Sequence, residues 1–325
     1  MVAAEFTDGS LPQWLEGIRS ELKKHRPSFQ VLLRSLTKRN RIAVVTDSAC
    51  ALPPEIREIP GTEHLRIIPM PVMVDGQIYT EGVTGPGSEL PVALATGKRI
   101  QTSRPAPGHI REVYQQLERE GYQHIISLHL SGRLSGTVDA AILAAEDVTI
   151  PVDVIDTRAA AMAQGYMVLD ALLLIALGYN ATEVTDFLDA EKKAQGAFFT
   201  VANLEALRRG GRINALSGLL GAILNVKPVL YLSDGAIQLA ENTRSFDRAL
   251  ERISDLVTTT ASSSPHRIAV HYFGDRTAAE NLIKTFQPLS SLPVPLLPLP
   301  AVLAAHTGLG SIGVTLSPHQ ERKPA

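Results

Sequence analysis

The sequence predicts an α/β fold in two domains, because short apolar runs alternate with longer amphipathic stretches. From residue 41 onward, strand-like runs such as "RIAVVTDS" and "QHIISLHLS" alternate with helix-like stretches such as "PGHIREVYQQLEREGY" and "TVDAAILAAEDV". This alternation is typical of a largely parallel sheet that is covered by helices on both faces. The chain has 325 residues, of which 45% are hydrophobic, so it can bury a sizeable core in each domain.

We divide the chain into three parts on this pattern. Residues 1–41 are interpreted as a helical extension, residues 42–160 as an N-terminal α/β domain with several polar loops, and residues 161–318 as a C-terminal α/β domain. The extension carries eight Lys or Arg residues against four Asp or Glu, so its net charge is +4. The rest of the chain carries 23 against 29, so its net charge is −6.

Two short amphipathic helices are predicted within the extension. The first covers "SLPQWLEGIRSELKK", where Trp14, Leu15, Ile18 and Leu22 share one face, and the second covers "PSFQVLLRSLTKR". Two interpretations stay open. The helices pack on the body of the protein or on a second copy of it, or they form a basic arm that docks on a partner protein or makes transient contact with an anionic membrane.

The composition excludes several classes of protein. A net charge of −2 argues against nucleic acid as a partner, because such binding needs a strongly basic surface. Cys50 is the single cysteine, so we expect no internal disulfide and no multi-cysteine metal site. We also expect no cofactor. The N-terminus lacks the order of a signal peptide, and the longest apolar run, "MVLDALLLIALG", is too short to span a bilayer and contains Asp170. We therefore expect a cytoplasmic protein without a membrane span, and we interpret this run as a buried helix.

Hydroxyl groups gather where predicted strands end. Thr102 and Ser103 lie in "QTSRP", and Ser131, Ser135 and Thr137 lie in "LSGRLSGT", which directly follows an apolar run. In parallel sheets, ligands bind outside the carboxyl ends of the strands. The "SGT" also precedes a predicted helix, whose first backbone amides favour an anion. These loops therefore predict a site for an oxyanion.

The motifs of nucleotide-binding loops do not explain this site. No Walker sequence is present, and the one GxGxxG match, "GLGSIG" at 308–313, leaves no room for the βαβ unit that would give it meaning. His306 stands just before this glycine-rich loop. Its imidazole either donates a hydrogen bond to an acidic ligand or satisfies a backbone carbonyl, and both interpretations stay open at this point.

The second half of the chain carries two further sequence features, each of which allows two interpretations. The run "GLLGAILNV" either fills a core or lines a cavity. Arg208, Arg209 and Arg212 flank two glycines, and Arg244 follows later. Such arginines are either solvated or form a face that recognises phosphate or a partner protein.

Six motifs together resemble the DegV family, whose bacterial members bind a fatty acid. They are "VVTDSACALPPE", "IQTSRPAPG", "ISLHLSGRLSGT", "LEALRRGGRI", "ILNVKPVLYLSDG" and "HTGLGSIG", in this order over about residues 41–316. The resemblance implies a two-domain α/β protein that encloses one long-chain fatty acid between its domains. For many members it also implies a role in phospholipid metabolism as the binding subunit of bacterial fatty acid kinase, whose separate kinase subunit uses ATP to phosphorylate the bound carboxylate.

The resemblance also assigns roles to residues, none of which is catalytic. The fatty-acid carboxylate would be bound by Thr102, Ser103, Ser131, Ser135, Gly136, Thr137 and His306; the tail would run along Leu219, Leu220, Ile223 and Leu224; and the kinase subunit would dock on Arg212 and Arg244. Short hydroxyl side chains and backbone amides can bind a buried carboxylate without a counter-charge.

The sequence departs from the usual family motifs at a few positions. Arg104 and Ala106 stand where the family has Gln and Ser, Gly132 replaces a second Ser, and Leu309 replaces a Pro. None of these changes removes a proposed hydrogen-bond donor. Two alternatives stay open: a lipid sensor or carrier that works without a kinase, and a serine hydrolase that uses His306, although no GxSxG motif is present.

Overall fold

The structure is a computed structural model that describes residues 10–24, 41–80, 89–212 and 226–320. The strands are β1 (Ile42–Asp47), β2 (Leu65–Ile68), β3 (Pro71–Val74), β4 (Gln77–Thr80), β5 (Ile100–Thr102), β6 (His124–His129), β7 (Val152–Asp156), β8 (Gly196–Thr200), β9 (Lys227–Ser233), β10 (Ala236–Thr243), β11 (His266–Phe273), β12 (Leu296–Pro298) and β13 (Ser311–Pro318). The helices are α1 (Ser10–Lys24), α2 (Glu89–Ala95), α3 (Pro107–Arg119), α4 (Thr137–Ala145), α5 (Met162–Ala176), α6 (Ala181–Glu191), α7 (Glu205–Arg209), α8 (Phe246–Ala261), α9 (Arg276–Phe286) and α10 (Ala301–Thr307).

The first half of the chain forms a parallel sheet with the strand order β2-β1-β6-β7. All six residues of β1 are buried, as are the last five of β6. Continuous apolar runs of this kind are typical of strands that are covered on both faces. Strands β3, β4 and β5 lie between β2 and β6 in the sequence and form a small antiparallel sheet with the order β4-β3-β5. Thr102 is the last residue of β5. The predicted parallel sheet with flanking helices is confirmed.

The second half forms a six-stranded mixed sheet with the order β10-β9-β8-β13-β11-β12. Neighbouring strands run antiparallel except β11 and β12, which are parallel. One face buries Val270, Val314 and Val229 against α8 and α9. Since successive side chains of a strand point to opposite faces, the residues between them point to the other face, toward the first half of the molecule.

Helix α5 packs on both sheets. Its residues from Met162 to Leu174 are all buried, and it contacts β1, β6 and β13. Asp170 interrupts this apolar helix, and its side chain accepts two hydrogen bonds from Arg267 on β11, at 2.9 and 2.6 Å. The predicted buried helix is thus present. The division of the chain at residue 160 stays a prediction, because α5 belongs to both packing layers.

Helix α1 packs on the body of the protein. Trp14 is fully buried, and its ring meets Tyr166 of α5 edge to face at 6.5 Å. Glu21 binds the imidazole of His319 at 2.5 Å, close to the end of the described chain. The second predicted helix of the extension lies outside the described residues. Within the described ranges, no helix is both long enough and apolar enough to cross a membrane.

Candidate functional site

An apolar cavity of about 440 Å³ lies between the two halves of the molecule. Its volume is within the range of about 300 to 1,000 Å³ that is usual for small-molecule sites. The first half contributes Met70, Leu130 and Leu134 to its wall. The second half contributes further apolar side chains, among them Phe199, Leu207, Leu232, Ile237, Ile312, Val302 and Leu303. Most of the wall can therefore contact a hydrocarbon chain.

The strand register of the six-stranded sheet explains this wall. Gly313 on β13 is paired with His271 on β11 and with Phe199 on β8. Residues directly opposite each other in antiparallel strands share one face of the sheet, so the row of His271, Gly313 and Phe199 lies on the cavity face. The next row on the same face contains Thr315 and Ala197. Gly313 and Ala197 are small and leave room in front of the sheet. A Cβ atom at Gly313 would already lie 3.4 Å from that of Phe199.

Hydrogen-bonding groups gather at one end of the cavity, which we call the polar end. Its members are Thr102, Ser103, Arg104, Ser135, Gly136, Arg212 and His306. The hydroxyl of Thr102 lies 2.7 Å from Nε2 of His306, although 204 residues separate them in the sequence. The hydroxyl of Ser135 lies 2.8 Å from that of Thr137 at the start of α4. Five of the seven predicted carboxylate-binding residues therefore line one cavity.

His306 is held in place by the glycines around it. It lies in α10, and the positive φ angles of Gly308 and Gly310 turn the chain from that helix into β13. Gly210 leaves space for the imidazole, because a Cβ atom there would lie only 2.1 Å from Nδ1. The glycine-rich "GLGSIG" is thus a turn that positions a histidine.

Burial determines the charge of His306. Burial and, to a smaller extent, the nearby Arg212 guanidinium together lower the pKa of the imidazole to about 4. The ring is therefore neutral near pH 7. Among the described residues, Nδ1 has no hydrogen-bond partner, so Thr102 is the group through which the ring acts on the cavity.

A second cavity, of about 490 Å³, meets the first at the polar end. Both are lined by Thr102, Arg212 and His306. The second cavity also contains Lys98, Arg99 and Arg209, and no carboxylate belongs to the part of its wall that the structure describes. We call it the basic groove. Lys98 lies 3.6 Å from Asp75 and Arg209 lies 3.9 Å from Glu205, two carboxylates outside this wall. A wall whose described charges are all positive favours an anion beside the polar end of the apolar cavity.

Two of the predicted carboxylate-binding residues lie elsewhere. Ser131 is fully buried and donates a hydrogen bond to the carbonyl oxygen of Gly235, in the turn between β9 and β10, at 2.7 Å. This bond connects the two halves of the molecule, so the hydroxyl of Ser131 is already used. Thr137 is also fully buried, and it contacts Ser135 from behind the cavity wall. The structure gives both residues a supporting position.

The two predicted docking arginines occupy different places. Arg212 is half-buried, donates from Nε to the carbonyl oxygen of Leu134 at 3.0 Å and lines both cavities. Its position at the polar end differs from the expected one on an outer docking face. Arg244 is exposed in a shallow surface groove with Arg248, Arg252 and three acidic residues. The four leucine and isoleucine residues predicted for the tail, Leu219, Leu220, Ile223 and Leu224, lie outside the described residues.

The structure also contains a Ser–His–Asp array, formed by Ser127, His129 and Asp47. The hydroxyl of Ser127 lies 2.8 Å from Nε2 of His129, whose Nδ1 lies 3.0 Å from Asp47. All three residues are 0% exposed, and the hydroxyl of Tyr114 donates to Ser127 at 2.7 Å. A hydrolase needs a serine that its substrate can reach. This array is therefore a buried hydrogen-bond network that fixes β1 to β6.

The fold and the cavity together define an α/β protein whose two sheets enclose an apolar ligand-sized space with one polar end. The chain belongs to the DegV family. The family model described as "Uncharacterised protein, DegV family" matches residues 41–319. The first forty residues, including α1, lie outside this match.

Relatives and solved structures support the same assignment. A DegV domain-containing protein of Streptomyces coelicolor is 38% identical over 282 residues, which cover 85% of this chain and 98% of that protein. A structure described as fatty acid binding of a DegV family protein from Thermus thermophilus matches with a TM-score of 0.79 and 36% identity over 86% of this chain and 100% of that one. DegV of Bacillus subtilis, described as a fatty acid binding protein, matches with a TM-score of 0.78 and 30% identity over the same shares.

Proposed function

We propose that this protein binds one long-chain fatty acid, with the hydrocarbon chain in the apolar cavity and the carboxylate at the polar end. The observation that carries the proposal is the cavity itself, in which an apolar wall ends in Thr102, Ser135 and His306. Two of the similar solved structures are described as fatty acid binding, which supports this choice of ligand.

The tail supplies most of the binding free energy in this proposal. Burying about fifteen methylene groups at about 0.8 kcal/mol each gives a gross gain of about 12 kcal/mol. A hydrogen bond to a charged group contributes about 1.5 to 3 kcal/mol. The polar end therefore orients the carboxylate more than it determines affinity.

The carboxylate is held by hydroxyl groups and one cation. The hydroxyls of Thr102, Ser103 and Ser135 donate to its oxygens, and Arg212 balances its charge from the side of the basic groove. His306 contributes through Thr102: when Nε2 donates to the Thr102 oxygen, the Thr102 proton is free for the ligand. His306 is thus a positioning residue.

We further propose that the bound carboxylate is presented to a separate ATP-dependent kinase subunit. A carboxylate oxygen attacks the γ-phosphorus of ATP, the bond to the β–γ bridging oxygen breaks, and ADP leaves as the acyl-phosphate forms. The basic groove supports this step, because Lys98, Arg99 and Arg209 lie where the new phosphate would develop its charge. This chain binds and orients the acid, and the partner supplies the nucleotide.

Two measurements test these proposals in turn. Native mass spectrometry of the purified protein, followed by titration with oleate, should show one fatty acid per chain. A protein that carries no acid and binds no oleate would overturn the first proposal.

Mixing the loaded protein with a bacterial fatty acid kinase subunit and ATP should give acyl-phosphate. Tight oleate binding without turnover or complex formation would instead favour the lipid carrier.

A further inference from the structure

A two-stranded ribbon overhangs the apolar cavity at the β10 edge of the six-stranded sheet. Among the described residues, β9 pairs with β8 only over residues 229–231, so residues 232–237 pair with each other alone. We call residues 232–237 the hairpin tip. Leu232 and Ile237 lie opposite each other in the hairpin tip, and both line the cavity. A two-stranded ribbon is only marginally stable by itself, so the contacts of its turn hold the hairpin tip in place.

The turn of the hairpin tip makes polar contacts with the first half of the molecule. The carboxylate of Asp234 accepts hydrogen bonds from Arg133, at 2.9 Å, and from Arg158. The hydroxyl of Ser131 donates to the carbonyl oxygen of Gly235 at 2.7 Å. Asp234 and Gly235 both have positive φ angles, which suit the two-residue turn of a tight hairpin. We call this set of contacts the latch.

The ion pairs of the latch are open to water. The side chains of Asp234, Arg133 and Arg158 are between 46% and 60% exposed. Ion pairs at such exposure contribute little net stability, and salt screens them. Asp234 belongs to the second half of the molecule and both arginines belong to the first. The ion pairs therefore hold the two halves together at this edge at a small cost of opening.

A β-bulge lies at the base of the hairpin tip. The pairing of β9 with β10 shifts between Leu239 and Glu241, so Ala240 is an extra residue in β10. A bulge bends its strand and interrupts the ladder of hydrogen bonds. Beyond the bulge, Glu241 is fixed to α8 by Arg252, with 2.9 Å between the carboxylate and Nε. The hairpin therefore has a fixed base, a bend and a tip that the latch holds to the first half.

Buried apolar contacts fix the opposite edge of the sheet. There, Trp14 of α1, Ile59 of the first half and Leu297 of β12 belong to one buried cluster. The backbone N–H of Leu296 also donates to the hydroxyl of Ser10 at 3.3 Å. Exposing buried apolar surface costs more than separating half-exposed ion pairs. The two halves should therefore part at the hairpin tip and stay together at α1.

We propose that the hairpin tip is a gate through which the fatty acid enters and leaves the cavity, and that Asp234 holds it shut through Arg133 and Arg158. This inference rests on the proposed fatty-acid binding and adds the control of ligand exchange. When the latch breaks, the hairpin tip bends at the bulge, and Leu232 and Ile237 move away from the bound chain. Such a gate changes entry and release by the same factor, so the dissociation constant stays nearly constant.

The test measures how fast bound oleate is exchanged. The full chain is loaded with deuterated oleate and mixed with an excess of unlabelled oleate, and native mass spectrometry follows the loss of label. Asp234→Asn should release oleate about fivefold faster than the wild type, because it removes the charge from two half-exposed ion pairs. Its dissociation constant for oleate should change less than about twofold. Asparagine tolerates a positive φ angle, so the turn is retained.

The matched control is Glu241→Gln. It breaks an equally exposed ion pair of the same hairpin, but one that lies within the second half, so oleate release should keep the wild-type rate. In a chain that carries Arg133→Gln and Arg158→Gln, Asp234→Asn should add no further acceleration, because the latch is already broken. Raising the NaCl concentration from about 0.05 to about 0.5 M should speed release from the wild type and from Glu241→Gln, and should not speed it from Asp234→Asn.

The outcomes separate the gate from the fatty-acid proposal beneath it. Tight oleate binding with equal release rates in the wild type and Asp234→Asn would overturn the gate alone. Failure of the wild type to bind oleate would overturn the fatty-acid proposal and the gate together. If Asp234→Asn does not fold, as judged by circular dichroism, the wild type and Glu241→Gln decide: release that salt does not accelerate in either protein contradicts the gate.

Discussion

Two hydroxyl–imidazole pairs in this protein have nearly the same geometry and opposite surroundings. In the first half, Ser127 and His129 are 2.8 Å apart, and Asp47, Tyr114 and the strand backbone satisfy them on every side. Across the halves, Thr102 and His306 are 2.7 Å apart and border two open cavities. The first pair is closed to any ligand, and the second can still donate to one.

The difference shows that accessibility, more than residue type, separates a structural pair from a binding pair. Asp47 accepts hydrogen bonds from Ala49, Leu130, His129 and Gln164, so its carboxylate has no acceptor capacity to offer a ligand. His306 has one satisfied nitrogen and an apolar cavity beside its partner Thr102. The closed pair should therefore affect stability, and the open pair should affect the ligand.

The largest expected effect comes from breaking the closed pair. Asp47→Ala should lower the free energy of unfolding by about 3 to 5 kcal/mol, because it leaves several buried donors without an acceptor. Urea denaturation measures the change, and Thr102→Val is the matched control, with an expected change below about 1 kcal/mol. Equal losses in the two variants would contradict the contrast between the pairs.

The open pair should act on phosphotransfer. His306→Ala should slow acyl-phosphate formation with a kinase subunit by about 1 to 3 kcal/mol in activation free energy, because Thr102 is no longer oriented. The dissociation constant for oleate should change less than fivefold, since the tail supplies most of the affinity. The exposed His109, replaced by alanine, controls for the loss of an imidazole. A large loss of oleate binding with unchanged transfer would reverse these roles.

The two arginines sharpen the contrast between inside and outside. Arg212→Glu places a carboxylate beside the bound carboxylate and should weaken oleate binding about tenfold, because like charges repel in a partly buried site. Arg244→Glu should leave oleate binding unchanged and should weaken kinase-dependent turnover in a salt-sensitive manner. Isothermal titration with oleate and the kinase assay, each at two salt concentrations, distinguish the two outcomes. Oleate loss in the Arg244 variant would place that residue in the site.

The smallest effect separates two serines of one loop. Ser131→Ala should lower the free energy of unfolding by about 1 kcal/mol, because the carbonyl of Gly235 loses its donor, and should leave transfer unchanged. Ser135→Ala should leave stability nearly unchanged and should slow transfer, because it removes a donor from the polar end. Thermal melting and the kinase assay read the two effects. The opposite assignment would mean that Ser131 faces the ligand.

The sequence was sufficient for the parallel sheet and for most of the polar end. Continuous apolar runs predict β1 and β6, and the rule that ligands bind at the carboxyl ends of parallel strands accounts for Ser135, which follows β6. Thr102 ends β5 of the antiparallel sheet, so its place at the polar end was predicted by the family resemblance and not by this rule. The position of Ser131 could not be predicted, because its partner Gly235 is 104 residues away. His271 was missed since the run "HRIAVHYF" shows alternation without showing which face meets a cavity.

The position of Arg212 shows the same limit. The turn "RRGGRI" predicts exposed arginines, and Arg212 becomes part of the site only through its contact with Leu134, 78 residues away. Contacts of this kind depend on how the two halves meet. Local sequence patterns predict helices and strands, but they do not show which residues from distant parts of the chain will surround a given side chain.

The most direct test of the central claim is the pKa of His306, measured by NMR in the free protein and with oleate bound, with His306→Ala to assign the signals. The free value should be about 4. A carboxylate at the polar end favours the charged imidazole, so this pKa should rise when oleate binds. Between the two values the His306 imidazole binds more protons in the complex than in the free protein, so the contribution of His306 to oleate affinity should increase as the pH falls through that window. An unchanged pKa with oleate fully bound would contradict a carboxylate at the polar end.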